Sequence, residues 1–239
     1  MDINSYLENA TVWRERFAMV KGRLVTGSEQ AQDALYGILQ PFVYRRYVDF
    51  QAVGALRELK AKIQTEVRRQ NLARNIKLGQ GGIREVEFIA QVFQLIRGGT
   101  DEVLQQRGTW PILQSISELG LLPENVVTEL LSCYEFLRDL EHRIQALRDE
   151  QTQTLPVDDI DLDRLALSAG RESADDLLAK LSSVRSRVQQ HFSNLISEAN
   201  EPQEGDKHLP FYQSWQAGEV QAPVVSDALS EALLAFRNS

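Results

Sequence analysis

Apolar side chains recur at spacings of three and four along most of this chain, and nowhere do they alternate with polar ones between turn residues. That periodicity commits the chain to helices packed on helices: an all-α multi-helix bundle with no significant sheet. It is clearest over 50–70, where Val53, Leu56, Leu59, Ile63 and Val67 mark one face and Arg57, Lys60, Arg68 and Arg69 the other, with Asp49 placed to cap. Leu7, Val12, Trp13 and Phe17 predict a helix over 4–19. Ser28 caps a second over 29–40, which Pro41 ends or kinks. An apolar run from Ile83 to Ile96 closes on Gly98-Gly99, and a helix over 110–119 stops at Gly120. Pro123 opens a long stretch to about Gln151, striped by Val126, Leu130, Leu131, Tyr134, Leu137, Ile144 and Leu147. Leu155-Pro156 and an acidic loop over 158–163 interrupt the pattern, and Ser173 to Asp176 resembles a capping box for a helix to about Glu198.

From Asn200 the composition shifts. Glu201 to Asp206 reads as a linker, and Ser226 to Phe236 as one short helix. The expected organisation is a helical domain over 1–199 and a linker with a terminal helix over 200–239.

Composition narrows the class. The chain has 239 residues, 43% hydrophobic and 25% charged, which is enough to bury a sizeable core and is unlike a disordered chain. A single cysteine, Cys133, excludes an intramolecular disulfide and a cysteine-based zinc site. No apolar run approaches the ~18 residues of a membrane span, and the first residues are too polar for a signal peptide, so a cytoplasmic protein with no membrane partner is expected. The net charge of −8 hides an asymmetry: residues 1–99 carry 15 Lys+Arg against 10 Asp+Glu, and the remainder carries 11 against 24. The basic first part suits a phosphate or an acidic partner, whereas the acidic remainder argues against nucleic acid.

The stretch richest in chemistry is Asn75 to Phe88, NIKLGQGGIREVEF. Gly79, Gly81 and Gly82 stand directly before an apolar helix, whose N-terminal N–H groups carry partial positive charge, and Lys77 and Arg84 flank the turn. Such a turn can hold a phosphate between backbone donors and two cations. It is neither a Walker loop nor a dinucleotide fingerprint, and the commoner origin of this spacing is a tight turn between helices. Glu85 and Glu87 point about 200° apart on a helix, so they do not share an ion unaided, though either can orient a neighbouring cation. Arg16, Lys21 and Arg23 form a second basic group beside Trp13 and Phe17. It reads either as a solvated helix face or as a cationic wall. The aspartates of 158–163 lack the glycine and closing glutamate of a calcium loop and read as helix-capping. His142, His191 and His208 show no metal-ligand spacing or carboxylate partner in sequence, and Cys133 falls in an apolar stripe, where it reads as buried and inert.

The segment NIKLGQGGIREVEFIAQVFQLIRGG (75–99) resembles the bacterial glutamine synthetase adenylyltransferases. VWRERFAMVKGRLVTG (12–27), LQPFVYRRYVDF (39–50) and DEQTQTLP (149–156) match the same family in the same order, so the resemblance covers about residues 2–198. A shorter form of the glycine pattern is similar to one in the uridylyltransferase of the same nitrogen cascade. The family enzyme has two halves, each a nucleotidyltransferase head followed by a helical domain. The sequence variants here are similar to the N-terminal half, which removes the adenylyl group by phosphorolysis to ADP.

The resemblance implies a helical domain lining a nucleotide and phosphate cleft, with Lys77, Gly79, Gly81, Gly82, Arg84, Glu85, Glu87, Arg16, Lys21 and Arg23 as its candidate residues. It implies magnesium in the parent enzyme, held by a head whose Gly-Lys-Leu-Gly-Gly and Ser-Asp-x-Asp motifs do not occur in this sequence. No cofactor and no complete catalytic set are therefore expected in the chain itself, which reads as an inactive fragment. The implied partners are glutamine synthetase, a nitrogen-regulatory signal protein, ATP or ADP, and phosphate. The alternative is a non-catalytic interaction module relaying signal-protein and glutamine state between the two catalytic halves.

Overall fold

Three helices begin where a side-chain oxygen, that of Ser28, Asp158 or Ser173, accepts from one of their first N–H groups. The computed structural model describes residues 13–23, 25–44, 65 and 72–198, and the packing discussed here lies in the unit that ends at Leu195. Among the described residues there are seven α-helices: α1 (Trp13–Met19), α2 (Glu29–Val43), α3 (Ile83–Arg97), α4 (Thr109–Glu118), α5 (Glu124–Arg148), α6 (Asp159–Ser168) and α7 (Ala174–Glu198). No strand or sheet occurs among them; the nearest thing is an isolated antiparallel bridge between Asn75 and Thr154. The all-α expectation holds. The helix expected over 50–70, the linker at 201–206 and the terminal helix at 226–236 lie outside the described residues.

The caps follow the sequence closely. Ser28 accepts from the Ala31 N–H at 3.3 Å, and Ser173 accepts from the Asp176 N–H at 3.2 Å. Gly120 takes φ +66 directly after α4, the left-handed stop that the sequence predicts. Two boundaries differ from expectation. Pro41 sits inside the last turn of α2, which runs on to Val43. Proline lacks the N–H that would bond the Gly37 carbonyl and a proline ring crowds that carbonyl, a cost confined here to the last turn of the helix. The acidic stretch is also not a loop throughout. Asp158 caps α6 by accepting from the Asp161 N–H at 3.1 Å, and Asp161 is buried against Arg148 and Arg164. Carboxylates in a first helical turn are favoured by the helix dipole, so the helix-capping reading holds for Asp158 while the loop expected over 158–163 is the start of α6.

Helix α3 is the centre of the bundle. Ile83, Val86, Phe88, Ile89, Ala90, Val92 and Leu95 are all buried, and so are Gln91 and Gln94. A helix apolar nearly all round needs neighbours on several sides. It has α4, α5 and α1 against it, while α4 also packs on α5, α5 on α6, and α1 on α2. The buried Gln94 amide donates to the carbonyls of Leu104 at 2.9 Å and Gln106 at 2.6 Å, which pins the link between α3 and α4. Helix α7 closes over α3 through Phe192, whose ring meets Phe88 edge-on at 5.2 Å, and Phe17 of α1 reaches Phe88 at 5.3 Å.

Candidate functional site

The glycine turn is built mainly from its own polar groups. The Asn75 side-chain oxygen accepts from the N–H groups of Lys77 at 3.0 Å and Leu78 at 2.7 Å, and the Asn75 carbonyl accepts from Gly79 N–H at 2.9 Å. Gly82 N–H donates to the Gly79 carbonyl, Ile83 N–H to Ile76 and Arg84 N–H to Lys77. The start of α3 is thus satisfied by the turn that precedes it. Six of the backbone donors that the sequence suggests for a phosphate, those of Lys77, Leu78, Gly79, Gly82, Ile83 and Arg84, are engaged inside the protein.

Two other segments clamp this turn. Ile76 N–H donates to the Gln153 carbonyl at 2.9 Å and Leu155 N–H to the Arg74 carbonyl at 3.0 Å, so residues 149–156 lie along it. From α7, the Arg185 guanidinium donates to the carbonyls of Ala73 at 2.6 Å and Asn75 at 2.8 Å. Burial lowers the Arg185 guanidinium pKa, and attraction to Glu85 opposes the shift. The glycines make this clamp sterically feasible. A Cβ on Gly79 would fall 2.6 Å from the Leu72 carbonyl oxygen, and one on Gly82 would fall 2.6 Å from that of Ile76. A groove of about 510 Å³ opens beside the clamp, where Ser182, Arg185 and Gln189 of α7 face Leu72, Arg74 and Gln80. Arg74 donates to the Leu155 carbonyl at 3.4 Å and to that of Pro156, so both arginines of the groove hold backbone.

The side chains of the candidate residues go to several places. Lys21, just past α1, sets its ammonium 3.0 Å from the Glu87 carboxylate and donates to the Thr109 hydroxyl at 3.3 Å. Lys77 places its ammonium 3.8 Å from Glu141 on α5, and Arg138 binds the other oxygen of the same carboxylate. Tyr134 joins the two pairs. It lies close enough to Thr109, Glu87, Arg138 and Glu141 for each to act on its ionisation. Burial pushes its phenol up, opposed by Thr109 and Arg138. Lys21, Glu87 and Lys77 therefore belong to one polar network spanning α1, α3, α4, α5 and the turn. Arg84 and Arg23 are exposed, and Glu85 is buried on the side of Arg185. Arg16 is also buried and donates to the Val43 carbonyl at 2.7 and 3.2 Å, so it closes the end of α2.

The sequence reading missed Thr109, Tyr134, Arg138 and Glu141. Tyr134, Arg138 and Glu141 stand at i, i+4 and i+7 on α5, one face of a helix, and that spacing was the available signal. It also missed a partner for His191, whose Nε2 lies 2.6 Å from Glu129 on α5, with Arg187 3.4 Å from the same carboxylate. The His191 hydrogen bond holds the Glu129 carboxyl below the usual glutamate range, with burial opposing it and Arg187 adding to it. A depressed carboxylate stabilises the fold above its unfolded pKa, and that contribution disappears as the pH falls through the folded value. Acidification below about pH 4 should therefore lower the melting temperature of the wild type more than that of Glu129→Gln. Equal acid sensitivity in calorimetric melts would refute the coupling.

Among the described residues no three His, Cys, Asp or Glu side chains come together to hold a metal ion. Cys133 is buried, and burial pushes its thiol up, away from a reactive thiolate. Among the described residues no helix is long and apolar enough to cross a membrane.

The chain is 51% identical over 201 residues to the bifunctional glutamine synthetase adenylyltransferase/adenylyl-removing enzyme of Pseudomonas aeruginosa, an alignment covering 84% of this chain and 20% of that protein. The chain thus spans about a fifth of that relative's length. A family model described as GlnD PII-uridylyltransferase matches residues 57–196, from the stretch before the glycine turn through α7, and the chain belongs to that family.

Proposed function

We propose that this chain is the helical domain of the adenylyl-removing half of a glutamine synthetase adenylyltransferase, and that it forms one wall of the nucleotide and phosphate cleft. In the reaction, an orthophosphate oxygen attacks the phosphorus of an adenylyl-tyrosine. The new P–O bond forms as the bond to the tyrosine oxygen breaks, giving ADP and a tyrosine that takes up a proton. Such a transfer depends on positioning and on cations placed where charge accumulates. Magnesium belongs, in this reading, to a nucleotidyltransferase head outside this chain, and no step here uses it. Glutamine synthetase is the protein substrate, and a nitrogen-regulatory signal protein sets the direction of the reaction.

The observation that carries the reading is the convergence of Lys21 and Lys77 on the buried or half-buried carboxylates Glu141 and Glu87. Carboxylates so placed hold the cations in fixed positions, which is what a phosphoryl cleft requires. Arg84 adds an exposed cation at the start of α3. The glycines contribute by letting the turn lie against α7, and Arg16 by fixing α2. Arg23, Glu85 and Glu87 complete the lining or orient it.

In the full-length enzyme, Lys77→Ala or Arg84→Ala should lower adenylyl removal at least ~10-fold without unfolding the protein. Unchanged phosphorolysis in both variants would overturn the reading. Signal-protein binding that survives in both while nucleotide has no effect on this domain would favour the relay module instead.

A further inference from the structure

The N–H groups of Lys77, Leu78, Gly79, Gly82, Ile83 and Arg84 are occupied within the protein, which leaves side chains as the main means of holding a phosphate here. Two cations converge there on one carboxylate. Glu141 has a side chain only 4% exposed, while those of Lys77 and Arg138 are 37% and 36% exposed. The carboxylate is shut away from water and both cations extend from it toward solvent. Lys21 balances Glu87 one to one, but Lys77 and Arg138 share a single negative charge. Among the described residues one positive charge is left over, on groups whose geometry is already fixed from behind.

We infer that Arg138 and Lys77, held in place by Glu141, form an oxyanion-binding pair that takes orthophosphate or the terminal phosphate of a nucleoside diphosphate. The pair adds Arg138 as a binding residue and Glu141 as a positioning residue, and it rests on the cleft reading above for its place in the reaction. A guanidinium presents several donors in a fixed plane and an ammonium a mobile point charge, a combination suited to a tetrahedral oxyanion. Glu141 acts from behind. With one oxygen on each cation it fixes their separation, and its own burial is tolerated because both oxygens are paired.

Charge counting and positioning make opposite predictions for Glu141. If only net charge mattered, Glu141→Gln would strengthen phosphate binding by removing an anion. If Glu141 positions the pair, the same change weakens it. In the full-length enzyme, Arg138→Ala should raise the KM for orthophosphate at least ~10-fold while kcat at saturating phosphate changes less than ~3-fold. Arg138→Lys should recover part of the loss, and Glu141→Gln should raise the phosphate KM ~5-fold or more with the melting temperature held. A purely structural ion pair would change stability and leave the phosphate KM alone. An unchanged phosphate KM in Arg138→Ala, or a lowered one in Glu141→Gln, would overturn the inference while leaving adenylyl removal itself established.

If the wild-type enzyme removes no adenylyl group, the cleft reading fails and the pair is tested directly. Orthophosphate titrated into the 239-residue chain should then shift NMR resonances around Lys77 and Arg138 in the wild type and not in Arg138→Ala. No shift in either would overturn both proposals.

Discussion

Phe88→Ala should cost about 3–5 kcal/mol, the range for removing a buried aromatic from a core. The side chain is fully buried, and its ring is the meeting point of three helices: Phe17 on α1 at 5.3 Å and Phe192 on α7 at 5.2 Å, with α3 itself between them. Two kinds of loss combine. Transfer of the ring to water and the cavity left behind account for most of it, and each aromatic pair adds about 0.5–1.5 kcal/mol beyond burial. Collapse around the cavity is hindered because α3 is enclosed on several sides and cannot shift without opening another contact. Urea unfolding checks the magnitude. Phe88→Leu, which keeps most of the volume, should recover over half the loss. A loss below about 1 kcal/mol for the alanine would mean that α7 does not pack on α3 as described.

That packing is also where sequence reasoning succeeded and then stopped. The run from Ile83 to Ile96 was readable as one helix because its apolar residues are so dense and Gly98 follows it. Ser28 and Ser173 marked helix starts by local chemistry alone. Helix α6 was hidden because four aspartates in six residues outweighed a correct signal. Leu162, Leu165 and Ala166, at i, i+3 and i+4, are its buried face. Lys77 stood out within the glycine motif, but Glu141 did not, because its burial is created by α5 meeting a turn more than sixty residues away in sequence. The His191 and Glu129 pair was invisible for the same reason, with 62 residues between them. Local rules report caps and periodicity, while charge pairing between distant helices needs the fold first. The glycines show a third case. Their number and placement were visible, but the reasons were not: Gly79 and Gly82 meet carbonyls of the turn itself, and Gly81 meets the backbone of Arg185 on α7.

Gly81 is where that reason is sharpest, and Gly81→Ala should destabilise the protein by roughly 2–5 kcal/mol. Two penalties act together. The residue has φ +68, a left-handed conformation costing an L-residue about 1–2 kcal/mol. A Cβ there would also lie 2.6 Å from the Cα of Arg185, backbone that cannot rotate away. Relief would require moving α7, and with it the guanidinium that holds the Ala73 and Asn75 carbonyls. Gly120 supplies the control. Its φ is nearly the same, +66, but nothing lies within 4 Å of its Cβ position, so Gly120→Ala should cost only the conformational part, about 1 kcal/mol. The difference between the two variants in urea unfolding measures the steric part alone. Equal losses would show that the turn does not need α7 so close. A larger loss at Gly81 makes the glycine pattern a packing device that fixes where Lys77 emerges. Phosphate contact would then fall to the side chains that project from the turn rather than to its backbone.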